Sequence, residues 1–109
     1  MSALMLIAMV GVGVSRGNTA QAVRTHTVVI ESMKFTPATL RIKARDRVIF
    51  RNDDFVPHTA TAEGPRGFDS QLIKAGESWS VQISAGPQTI RYRCIYHPTM
   101  KGEIVVEEG

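Results

Sequence analysis

The sequence predicts an all-β domain, a Greek-key β-sandwich of about seven to eight strands. Three observations predict it. Apolar residues alternate with polar ones over short runs rich in Val, Ile, Thr and aromatics, the pattern of a strand with one buried face. Turn-forming clusters punctuate those runs about every ten residues. No window sustains a helical period.

The first element is not part of that pattern. Ala3 to Val14 is an unbroken run of 12 apolar or glycine residues, against the roughly 20 that span a bilayer. Ala20-Gln21-Ala22 follows as an A-x-A cleavage pattern. Residues 1–22 therefore read as a secretory signal peptide, although no Lys or Arg precedes the apolar run. Export to the periplasm is the expectation, with residues 23–109 forming one domain and no stable membrane span in the mature chain. An uncleaved anchor is the alternative.

The strands follow in order. Val28 and Ile30 share one face of the first, Leu40, Ile42 and Ala44 one face of the next, and Val48 and Phe50 one face of a third. Trp79, Val81 and Ile83 alternate, as do Ile90, Tyr92 and Cys94, and Ile104 to Val106 close the chain. Breakers separate them at Thr36-Pro37, Ala44-Arg45-Asp46, 63–67, 74–77 and Ala85-Gly86-Pro87. Met33, Tyr92 and Trp79 read as core residues. His26 reads as a solvated surface residue, and Arg91 and Arg93 as a solvated outer face.

Composition narrows the function classes. Cleavage after Ala22 leaves 87 residues with a net charge of +2, and basic and acidic side chains are interspersed. A nucleic-acid binder is therefore disfavoured. A single cysteine, Cys94, excludes an internal disulfide, so a small exported domain must rely on its core or on a bound metal.

The chemistry concentrates in Tyr92-Arg93-Cys94-Ile95-Tyr96-His97-Pro98-Thr99-Met100-Lys101-Gly102. A thiol, an imidazole and a thioether recur at three-residue intervals, at the end of the strand holding Ile90 and Tyr92. A tight turn would fold Cys94, His97 and Met100 toward one point. Pro98 stiffens the segment, and Gly102 is expected to let the chain turn into the last strand. A thiolate, two imidazoles and a weak axial thioether make a copper electron-transfer site. His58, just past the strand of Val48 and Phe50, is the better candidate for the second imidazole.

These residues carry a family resemblance. Phe35-Thr36-Pro37, Asn52 and His58 in N-x(5)-H spacing, and Y-x-C-x-x-H-x-x-M-x-G from Tyr92 to Gly102 resemble the cupredoxins over residues 24 to 107. The short spacing between Cys94, His97 and Met100 is similar to the amicyanins, as are Pro57-His58 and His97-Pro98. The chain departs from the common pattern at Arg45, where Gly usually precedes Asp, at Phe50, where Trp is frequent, and at Ile95-Tyr96, where amicyanins carry Thr-Pro.

The resemblance implies one type 1 copper ion held by His58, Cys94, His97 and Met100. It also implies that Asn52 braces the first-histidine loop and that the Thr59 hydroxyl ties the ligand loops together. The expected activity is one-electron carriage by Cu(II)/Cu(I) cycling, with transient docking of redox proteins near His97: a dehydrogenase, a cytochrome c or a terminal reductase. A monomer is expected. A periplasmic copper chaperone or store using the same ligands is the alternative. Catalytic copper enzymes need further histidine-built centres, which three histidines do not supply, so no enzymatic activity is expected. Zinc, which thiolate and imidazole also bind, would be adventitious.

Overall fold

The computed structural model describes residues 22–65 and 67–108. The expected signal peptide, residues 1–22, lies outside them apart from Ala22. The described chain forms eight strands and no helix: β1 (Thr25–Glu31), β2 (Lys34–Thr36), β3 (Thr39–Lys43), β4 (Arg47–Asn52), β5 (Thr61–Ala62), β6 (Ser78–Gln82), β7 (Gln88–Cys94) and β8 (His97–Glu107).

They pair into two four-stranded sheets, β2-β1-β4-β6 and β3-β8-β7-β5. The period-2 pattern explains how the sheets face each other. Val28, Ile30, Ile42, Val48, Phe50, Tyr92, Cys94, Ile104 and Val106 all turn inward and are buried between them. Arg91 and Arg93 fall on the opposite, solvated face of β7. An aromatic cluster fills the centre, with Phe50 packed against Phe35, Phe68, Trp79 and Tyr92.

Both sheets are mixed. β1 runs parallel to β4, and β3 runs parallel to β8, while the other pairs are antiparallel. Parallel neighbours cannot be joined by a hairpin. The chain therefore crosses between sheets at β2–β3 and back at β3–β4, and crosses again at β4–β5, β5–β6 and β6–β7, in a Greek-key sandwich. The pairing of Ile30 with Asn52 also puts the ends of β1 and β4 side by side, at the pole that carries the candidate site.

Four expectations are revised. Lys34–Thr36, not among the runs read as strands, is strand β2 ending at the Thr36-Pro37 breaker, and Phe35 belongs to the core. Met33 is not a core residue. It is 42% exposed in the two-residue turn joining β1 to β2, where Ser32 and Met33 have φ of 53° and 59°. Consecutive left-handed residues are what a tight hairpin requires.

Gly102 does not turn the chain into the last strand. It lies inside β8, opposite Tyr92, and a Cβ at this position would collide with the Tyr92 ring. Glycine is required by the close approach of that ring. Burial pushes the Tyr92 hydroxyl well above its usual range.

His26 is not simply solvated. Its Nε2 lies 2.9 Å from Asp46 Oδ2, and the His26 side chain is three-quarters buried. The Asp46 carboxylate also accepts the N–H groups of Arg24 and Lys43, each at 3.0 Å. Burial pushes the Asp46 pKa up, but the Arg24 N–H, His26 and the Lys43 N–H outweigh it and hold the group at about 2. Arg45, the departure from glycine noted above, precedes Asp46 with a φ of 78° and occupies the left-handed position of that turn.

Asp46 therefore stabilises the folded chain above the unfolded carboxyl pKa of 3.8 and loses that contribution as pH falls toward 2. Allowing for solvent screening at the edge of the sheet, roughly 1–2 kcal/mol is at stake. Urea unfolding of metal-free wild-type and Asp46→Asn chains should show a gap that narrows by this amount between pH 4.5 and pH 2.

Candidate metal centre

Three elements bring the site together. β4 ends at Asn52, and the following loop carries His58 back against the core, where its N–H and C=O both pair with Ile73. β7 delivers Cys94 at its last residue. β8 opens on His97, which pairs with Cys94 across a two-residue turn, Ile95-Tyr96.

The β7–β8 ladder changes register here. Arg93 faces Lys101, but Cys94 faces His97, so Pro98, Thr99 and Met100 stand opposite no residue of β7. The expected ligand loop is therefore a bulged strand. A proline, which has no N–H to donate, suits such a position. The bulge lets residues at 94, 97 and 100 sit at one end of a hairpin without breaking the ladder behind them.

Cys94 Sγ lies 3.7 Å from His58 Nδ1 and 3.5 Å from His97 Nδ1. Within this group all the donor atoms are within 4.8 Å of one another. Cys94 and His58 are fully buried, and His97 is partly exposed. Met100 is 3% exposed, in the same buried cluster as Cys94. A metal held by sulfur at about 2.3 Å and by nitrogen at about 2.0 Å, at angles between tetrahedral and trigonal, separates those donors by roughly 3.5–3.7 Å. The observed spacing fits one ion.

The surroundings fix these donors. Asn52 Nδ2 donates to the carbonyls of Val56 and Ile73, each at 2.9 Å, and its Oδ1 accepts the Asp54 N–H. That bracing holds the loop before His58. The Thr59 hydroxyl accepts the Ile95 N–H at 3.0 Å, and the Thr59 N–H donates to Cys94 Sγ at 3.4 Å. Thr59 thus ties the two ligand segments together and also supplies a hydrogen bond to the sulfur, a known lever on the potential of a copper–thiolate site.

One residue escaped the sequence reading. Asp54 Oδ2 lies 2.8 Å from His58 Nε2. Its oxygens also accept the N–H groups of Ser32 at 2.8 Å and Met33 at 3.0 Å. Burial pushes the Asp54 pKa up, but Met33, His58 and Ser32 together hold it below the usual carboxylate value. The spacing of Asp54 four residues before His58 was a visible signal, but it has meaning only once the loop geometry is known.

Exposed apolar side chains gather at the same pole. Met33, Phe55, Val56, Leu72, Ile95 and Tyr96 come from the turns and loops around the site, and Phe55 is 99% exposed.

The donor set matches one metal chemistry best. Thiolate and thioether are soft, imidazole is intermediate, and together they suit copper in both oxidation states. Comparison with known proteins agrees. A family model described as a cupredoxin-like domain matches residues 3–106. Amicyanin-alpha of Methylorubrum extorquens is 34% identical over 84 residues, covering 73% of this chain and 70% of that protein. The amicyanin of Paracoccus denitrificans is 30% identical, and this chain spans 63% of its length.

Among solved structures, a reduced single-site mutant of amicyanin has a TM-score of 0.68 at 28% identity, covering 74% of this chain and 80% of that one. A copper-containing nitrite reductase from Thermus scotoductus has a TM-score of 0.71 at 29% identity, covering 78% of this chain. Only 23% of the reductase chain is spanned, so the likeness is to one portion of that enzyme. Fold, donor set and similarity converge: this chain belongs to the cupredoxin-like family, with an amicyanin-type ligand segment and one copper ion as its cofactor.

Proposed function

We propose that the protein is a periplasmic blue copper electron carrier, with His58, Cys94, His97 and Met100 holding the ion. The observation that carries this reading is the convergence of His58 Nδ1, Cys94 Sγ and His97 Nδ1 at one buried point. Copper bound there would supply a one-electron couple. The chain's own residues would supply the rest.

Cys94, His58 and Met100 are held in the rigid end of the sandwich, so little has to move when an electron arrives. His97 reaches the partly exposed side and would be the exit point for the electron. The apolar side chains around it, from Phe55 to Tyr96, would exclude water during brief contact with a redox protein. Such a partner would be a dehydrogenase, a cytochrome c or a terminal reductase. The Ala3–Val14 run and the A-x-A pattern support export with cleavage after Ala22. Among the described residues no helix is long and apolar enough to cross a membrane. A monomer that carries electrons and catalyses no reaction of its own completes the reading.

Copper titration tests it. Cu(II) added to the metal-free protein should raise an intense visible copper–thiolate band that saturates at one equivalent. That band should bleach and return over repeated one-electron cycles. A colourless copper complex, or a band lost irreversibly on the first reduction, would overturn the reading.

A further inference from the structure

We propose that Asp54 is a positioning residue of the metal centre: clamped by the β1–β2 turn, it orients the His58 ring and biases the site toward the oxidised ion. The inference rests on the copper reading above and goes beyond it, because it gives a role to a side chain outside the four donors.

The geometry runs in one line. Ser32 and Met33 both have left-handed backbone, so their consecutive N–H groups converge on one point. Asp54 occupies that point, accepting Ser32 N–H on Oδ1 and Met33 N–H on Oδ2. The same Oδ2 meets His58 Nε2 at 2.8 Å. A carboxylate oxygen that already accepts an amide hydrogen can only accept from the ring, so Nε2 carries the hydrogen. The neutral imidazole then has its lone pair on Nδ1. Nδ1 is the nitrogen that faces Cys94 Sγ. The carboxylate therefore selects the ring form able to bind a metal at this point, before any metal arrives.

The second consequence is electrostatic. His58 is fully buried, so the charge of Asp54 acts on the site through a single ring with little solvent between. A carboxylate behind a ligating histidine also makes the ring a stronger donor. Both effects favour Cu(II) over Cu(I). The turn that holds Asp54 lies 21 and 22 residues away in sequence, so the β1–β2 hairpin becomes part of the metal centre although it contributes no ligand. Asp53, the neighbouring carboxylate, does not take this role. It is exposed and paired with the Arg51 guanidinium at 3.1 Å.

The test compares Asp54→Asn with Asp53→Asn, which removes the same charge one residue away. Copper affinity is measured in both oxidation states by competition with chelators, alongside reduction potential and the thermal midpoint of each metal-free chain. Asp54→Asn should lower Cu(II) affinity 10- to 100-fold. Cu(I) affinity should fall about tenfold less, which raises the potential by about 59 mV. Asp53→Asn should leave both affinities within twofold.

Equal losses in the two oxidation states would reduce Asp54 to a packing role and overturn the proposal. So would an Asp53→Asn effect as large as that of Asp54→Asn. If Asp54→Asn does not fold, proton NMR of the Cu(I)-loaded wild-type protein decides. The proposal requires a slowly exchanging, downfield His58 Nε2–H, and its absence overturns it. A wild-type protein with no copper–thiolate band would instead overturn the copper reading itself.

Discussion

Replacing Cys94 with Ser should abolish the visible band completely while leaving the metal-free protein folded. The sulfur is buried at the end of β7 and accepts the backbone N–H of Thr59. A serine hydroxyl is smaller and can accept the same hydrogen, so the metal-free stability should change by only about 1–2 kcal/mol. The metal-bound state is another matter. Oxygen in place of the thiolate would remove the soft, charged donor that Cys94 would offer to copper.

The thermodynamic readout is as large as the spectroscopic one. A ligand present at 100 to 1,000 times its dissociation constant stabilises a folded chain by about 2.7–4.1 kcal/mol. For a domain of this size each kcal/mol is worth roughly 4–8 °C of melting temperature. Copper-loaded wild-type protein should therefore melt roughly 10–30 °C above its metal-free form, and Cys94→Ser should show almost none of that increment. Differential scanning calorimetry with and without copper measures it. Retention of either the band or the increment would remove Cys94 from the ligand set.

The second large effect comes from a residue that offers no metal donor. Phe50→Ala should cost about 3–5 kcal/mol. Its ring is fully buried, with centroids 5.2 Å from Tyr92, 5.8 Å from Phe68, 6.1 Å from Trp79 and 6.4 Å from Phe35. The Tyr92 and Phe35 contacts are edge-on, the arrangement that adds to simple burial. No single neighbour can collapse into the space, because β1 and β6 pair with β4 on both sides and hold the backbone apart.

A domain of this length has a total stability on the order of 4–13 kcal/mol, so the loss brings the metal-free chain close to its unfolding threshold. Guanidinium unfolding of the metal-free protein should show the midpoint fall without a change in slope. Copper should partly restore it, since binding draws the equilibrium toward the folded state. A cost below about 1 kcal/mol would mean that the aromatic cluster repacks, which the close spacing of five rings argues against.

Phe50 also marks how far the sequence could be read. Its alternation with Val48 placed both on one buried face, because strand periodicity is written residue by residue along the chain. The same local logic gave the all-β class, the inward faces of β1, β4 and β7, and the Cys94-His97-Met100 spacing. A hairpin end needs only neighbouring residues, so that part of the site was legible. The bracing by Asn52 and Thr59 was legible through family resemblance, which carries positions that local physics does not.

Other features depended on partners distant in the chain. Met33 has the composition of a core residue, yet it faces solvent because β1 and β2 join through a two-residue turn. Gly102 looked like a turn residue, but the β7–β8 register sets it opposite Tyr92, whose ring needs the room. Asp54 is the clearest case. Its meeting with Ser32 and Met33 follows from the parallel register that sets Ile30 beside Asn52. Alternation and ligand spacing are short-range and survive in any one stretch of sequence. Strand order and register come from the balance of contacts over the whole sandwich, and only the folded chain could place a carboxylate behind His58.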